Sequence, residues 1–182
     1  MAGSLMLASS MVNAAETVCN DNGGAGWPFA ISSTTNITIP YNFADVSTAF
    51  DVDVSVDVTK TYVGDLSASI TSPLGTTVWL YERPGTQEIA TAANAPWGCA
   101  EDDIQVTFDD EAAIGTDIEN VCGTGVPSIS GTYMPHIPIA PTVVPAPNVL
   151  SSLDGEDPTG DWAFEMIHIA PFDPGTLNEV CI

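Results

Sequence analysis

Residues 50–58 read Phe50-Asp51-Val52-Asp53-Val54-Ser55-Val56-Asp57-Val58. The five apolar residues fall on every second position, and Asp51, Asp53, Ser55 and Asp57 fill the gaps. A period of two marks an antiparallel strand with one face in the core and an acidic face in water. Working outward, Thr38 to Phe43, Leu66 to Ile70, Thr77 to Tyr81, Ile104 to Phe108 and Trp162 to Ile169 read as further strands. Turn signals separate them: Gly64-Asp65, Ser72-Pro73-Leu74-Gly75, Arg83-Pro84-Gly85 and Asp173-Pro174-Gly175. Gly64 and Gly75 are expected to supply the positive φ that tight turns need, and Asp65 to accept backbone N–H groups within its turn. Trp162 shares a strand face with Phe164 and Met166, so it is expected to anchor the core. Short strands with Gly/Pro turns and few helical signals predict an all-β chain: a jelly-roll-like antiparallel β-sandwich of about eight strands.

The length of 182 residues suits one domain, with 45% hydrophobic against 14% charged residues, a folding composition. Residues 1–15 read as a truncated export signal: Leu5 to Val12 is apolar, Val12-Asn13-Ala14-Ala15 offers small residues for cleavage, and no Lys or Arg precedes them. The sandwich is then expected over 16–182. No apolar run reaches the ~20 residues that span a bilayer. Pro135 to Pro147 is too rich in proline for a central strand and is expected to cross the surface in extended form. Four cysteines, with no zinc-type spacing, fit an exported protein, secreted or periplasmic, with two disulfides. They allow three connectivities. The favoured one pairs Cys99 with Cys122 across a local loop and Cys19 with Cys181 across the two ends.

The charge is one-sided. Twenty-four acidic residues face two basic ones, Lys60 and Arg83, for a formal net charge of -22. Such a surface repels phosphate backbones and anionic lipid, which excludes nucleic-acid and membrane partners. It attracts cations, calcium foremost, because carboxylates are hard oxygen ligands. Solubility in a salty medium explains the same composition equally well.

Several phrases resemble the P-domain (Homo B domain) of kexin/furin-like proprotein convertases and their bacterial relatives. Thr59-Lys60-Thr61-Tyr62-Val63-Gly64-Asp65-Leu66 is similar to a family strand–turn motif, with lysine where His is usual. Thr71-Ser72-Pro73-Leu74-Gly75-Thr76, Phe108-Asp109-Asp110-Glu111-Ala112, Gly131-Thr132-Tyr133-Met134-Pro135 and Leu150 to Gly155 follow in the family's order. Gly160-Asp161-Trp162 and Gly175-Thr176-Leu177 resemble its closing pair. His168 stands where Asp is common, and Val180 where Trp is usual. The resemblance covers about residues 30 to 182. It implies a non-catalytic module beside a subtilisin-like catalytic domain of a secreted bacterial serine protease.

The residues themselves offer little for catalysis. A serine-protease site needs a histidine base, and only His136 and His168 exist. His136 sits among prolines and His168 on the core side of a strand. The chain is therefore expected to be a monomeric accessory domain rather than an enzyme. For calcium, Asp109, Asp110 and Glu111 follow a strand at its loop end, where crowded like charges invite a divalent cation. Asp65 and Asp173 lie at turns that the resemblance would bring to the same end. Asp154, Glu156 and Asp157 form a second candidate set. Two other readings stay open: a free-standing surface module binding carbohydrate or protein through Trp79 and Trp97, and a small hydrolase with paired carboxylates.

Overall fold

The fold is that of a computed structural model. The structure describes residues 16–20, 27–31, 34–41, 48–49, 51–85, 98–113, 117–135, 148–170 and 173–182. The expected export signal, His136, Trp97 and most of the proline-rich stretch lie outside the described residues.

The described residues form ten strands: β1 (Cys19–Asn20), β2 (Phe29–Ala30), β3 (Thr34–Tyr41), β4 (Val54–Lys60), β5 (Leu66–Thr71), β6 (Thr77–Glu82), β7 (Ile104–Phe108), β8 (Ile129–Tyr133), β9 (Gly160–His168) and β10 (Gly175–Cys181). One sheet runs β1-β10-β4-β7-β8, with β2 also on β10, and the other runs β3-β9-β5-β6. Two sheets face each other across one core, as the alternation in 50–58 requires. Two features differ from expectation. The short strands β1 and β2, together with β8 and β10, raise the count above eight. The pair β7–β8 is parallel, with Ile104 opposite Ile129 and Phe108 opposite Tyr133. A parallel pair needs a long crossover, here residues 109–128, and the Cys99–Cys122 bond ties that crossover to the segment before β7.

Val52, Val54, Val56 and Val58 are all buried, while Asp51 and Asp53 are exposed. The alternation does not stop at Val58: Lys60, two residues on, is also buried. On β9, Trp162, Phe164 and Met166 enter the core as expected, followed by His168. Each buried Val or Leu side chain adds roughly 1.5–3 kcal/mol relative to exposure. The disulfides are Cys19–Cys181 and Cys99–Cys122, the favoured pairing.

Gly75 has φ of 93°, the left-handed backbone its turn demands. Gly64 does not; it is required for space, since a Cβ there would lie 2.3 Å from the Cys99 nitrogen. Its N–H donates to the Cys99 carbonyl at 2.9 Å, so the segment before β7 lies directly against the turn.

Candidate functional site

The antiparallel register of β4 and β7 decides which acidic residues meet. Val54 lies opposite Phe108 and Val58 opposite Ile104, so β4 begins where β7 ends. Asp51 and Asp53, just before β4, therefore join Asp109, Asp110 and Glu111, just after β7. Asp154 reaches the same end through Asp110: the two carboxylate oxygens of Asp110 accept the N–H groups of Leu150 and Ser151, capping the 3₁₀ turn Leu150–Leu153. The crowding shows in the protonation of the group. Partial burial and the charges of Asp109, Asp51 and Asp110 raise the Asp53 carboxyl above its usual value. Burial, then Asp51 and Asp110, do the same to Asp154. Glu111 is raised by its hydrogen bond to Asp109 and then by the charge of Asp51.

The carboxylates of this end share a surface rather than a formed cage. Asp110 is committed to the backbone, and Asp109 Oδ1 accepts the Glu111 N–H at 2.6 Å. Among the described residues, the one trio of ligand-type atoms within 4.8 Å of one another is Cys19, Glu179 and Cys181, whose two sulfurs are joined to each other. In the second candidate set, Glu156 accepts hydrogen bonds from the Ser72 and Thr76 hydroxyls and ties the turn 72–76 to the loop after the 3₁₀ turn. Asp157 accepts the Thr159 N–H.

Asp65 and Asp173 are at the other end of the sandwich, contrary to the placement expected for them. Lys60 closes β4 there, and the seven residues of β4 separate the two ends by ~20 Å. Lys60 Nζ stands 3.7 Å from Asp65 Oδ2 and donates to the Asp173 carbonyl oxygen at 3.3 Å. His168 Nε2 stands 3.5 Å from the same Asp65 oxygen. Asp65 thus faces an ammonium and an imidazole, not the backbone of its own turn. The Lys60 stem is held on either side: its N–H donates to Asp103 Oδ1 at 2.8 Å, and its Cβ and Cδ lie where a side chain on Gly175 would have to go.

Burial, and after it the Lys60 charge, hold the His168 imidazole below its usual value of 6.5, against the pull of Asp65 and Asp173. The unfolded chain takes up this proton near 6.5 and the folded one only at lower pH. Stability from His168 is therefore full above about 6.5 and falls as pH drops through the folded value. The raised carboxyls act in the opposite sense: their contribution is present below about 4 and lost as pH rises through their folded values. Thermal midpoints are expected to fall between pH 7 and 5.5, and His168→Gln is expected to flatten that window. An unchanged slope in the variant would assign the acid sensitivity elsewhere.

Trp79 is half-buried, and its backbone N–H and carbonyl both bond the Asn148 side chain, at 2.7 and 2.9 Å. The amide takes the place of a neighbouring strand at the β6 edge and holds the Trp79 backbone there. Asp51, Asp53 and the buried Lys60 are the site residues that sequence reasoning passed over. The signal for all three was the alternation itself, which fixes which residues share the acidic face and which point inward.

No curated protein matches the chain by sequence. Among solved structures, the complex of Aeromonas sobria serine protease and the chaperone matches at 13% identity and a TM-score of 0.42, and the serine protease of Aeromonas sobria alone at 13% and 0.41. Each match covers 92% of this chain and 26% of the protease chain, so this chain spans about a quarter of those proteins. Among family models, residues 49–116, from the residue beside the acidic alternation to the loop after β7, match the proprotein convertase P-domain.

Proposed function

We propose that this chain is a non-catalytic accessory module of a secreted bacterial subtilisin/kexin-like serine protease, packing beside the catalytic domain and stabilising or regulating it. The observation that carries this reading is the family match over 49–116. The matched stretch holds β4 and β7 of one sheet and β5 and β6 of the other, so it contributes strands to both layers. Two disulfides support an oxidising, extracellular setting. Among the described residues no helix is long and apolar enough to cross a membrane. Co-expression with a subtilisin-like catalytic domain from the same organism is the test. The module is expected to raise the yield and thermal midpoint of active protease; equal yields and midpoints with and without it would refute the accessory role.

Calcium is proposed as the ion of the acidic end. What supports it is an all-oxygen donor set and carboxyls raised by burial or hydrogen bonding and then by one another's charge, a repulsion that a divalent cation relieves. Asp53, Asp109 and Glu111 would hold it, with Asp51 and Asp154 adjacent. A ligand bound only by the folded state stabilises by about 2.7 kcal/mol at a hundredfold excess over Kd. Millimolar calcium, against chelator at equal ionic strength, is expected to raise the midpoint by several degrees. Asp53→Asn should abolish the rise, and no rise in the parent protein would refute the site.

A further inference from the structure

The buried end of β4 carries chemistry that the accessory role does not use. Lys60 has 0% of its side chain exposed and Asp65 9%, yet Nζ and Oδ2 are 3.7 Å apart. Charge-assisted N–H···O bonds close to about 2.7–2.9 Å. Removing two ions from water costs several kcal/mol each, and only close, fully bonded pairing repays that. Here the pairing is loose, and the ammonium also donates to the Asp173 carbonyl at only 3.3 Å. Beside the carboxylate lies His168, with 2% of its side chain exposed and neither ring nitrogen completing a hydrogen bond. An amine, a carboxyl group and a free imidazole thus share one dry pocket.

We propose that Lys60 and Asp65 condense into an intramolecular amide, with His168 carrying the proton. The Lys60 ammonium passes one proton to the imidazole and becomes a neutral amine. Its lone pair attacks Asp65 Cγ, forming the C–N bond. The C–O bond then breaks, and the departing oxygen leaves as water with one proton from the nitrogen and the one returned by His168. One ammonium and one carboxylate become one amide and one water, with no oxidant or co-reactant. The reaction removes both buried charges, which supplies the drive that loose pairing lacks. Nζ already stands 3.7 Å from an oxygen of the carboxyl group it would attack, and burial restricts both groups, the condition under which intramolecular reactions are favoured. The link joins the last residue of β4, in one sheet, to the residue that precedes β5, in the other. It would fix the crossover between the two layers.

Intact mass of the purified, disulfide-reduced chain tests this directly. The protein is expected to be lighter by one water, and Lys60→Arg, which keeps the charge but cannot form the amide, is expected at full mass. Chymotryptic cleavage after Tyr62 should leave the Lys60 and Asp65 peptides joined. Asp65→Asn would lose ammonia instead and arrive at the same final mass as the parent protein. His168→Gln keeps both reacting groups and should remain at full mass or react far more slowly, a result that loss of packing at Lys60 would not produce. Full mass in the parent protein overturns the proposal. So does a lost water that persists in Lys60→Arg, since it then lies elsewhere. These readouts do not depend on any protease partner, so their failure is separate from failure of the accessory role.

Discussion

Replacing Trp162 by alanine is expected to bring the domain to the edge of unfolding. The side chain is 2% exposed and lies in the core between Ile39, its partner across β3, and the neighbours Phe164 and Met166 on its own face. Truncating a buried Trp costs about 3–5 kcal/mol through lost transfer energy and the cavity left behind. A second loss accompanies it. The indole N–H donates to the Pro158 carbonyl at 2.9 Å, and this buried acceptor would be stranded, at about 1–3 kcal/mol. Against a total stability of roughly 5–15 kcal/mol, the sum is a large share. Chemical unfolding should show a much lower midpoint at unchanged slope. Trp162→Phe refills most of the volume and lacks only the donor, so it should sit well above alanine. Equal midpoints for the two variants would mean that the hydrogen bond, not the packing, carries the effect.

The second large effect is expected at Cys19–Cys181. This bond closes a loop of 162 residues in sequence separation, whereas Cys99–Cys122 closes one of 23. In the chain-entropy account the longer loop contributes about 5 kcal/mol and the shorter about 3 kcal/mol. Replacing Cys19 and Cys181 by serine should therefore destabilise more than replacing Cys99 and Cys122, by up to about 2 kcal/mol. Paired chemical unfolding curves measure this. The reverse order would show that the shorter bridge acts through the folded state, where Gly64 and Gly85 pack against Cys99 at distances that admit no side chain.

Much of the architecture was legible because a half-buried strand writes its two faces into alternate residues. The valines of β4 and the row Trp162, Phe164, Met166 did so plainly. Strand β8 did not: Ser130, Gly131 and Thr132 are exposed between buried Ile129 and Tyr133, so its interior carries no apolar beat. Its parallel pairing is a matter of how the chain crosses over, which local sequence does not encode. The acidic end was half legible. The Asp109–Glu111 run and Asp154 were visible as clusters, but their meeting depends on register and on Asp110 capping a distant turn. The placement of Asp65 and Asp173 at that end came from the resemblance, whereas the alternation along β4 pointed to their neighbour Lys60. Period two put it inward, and the burial of a lysine brings its counter-charges with it.

The concealment of Lys60 has a consequence for survival beside an endopeptidase. The chain contains two basic residues, and an enzyme that cuts after lysine or arginine must seat that side chain in its own pocket. Lys60 is inside the sandwich, so the folded domain does not present it. Arg83 is followed directly by Pro84, whose ring obstructs cleavage of the bond between them. A domain so built can sit next to a protease of that specificity and offer it almost nothing to digest.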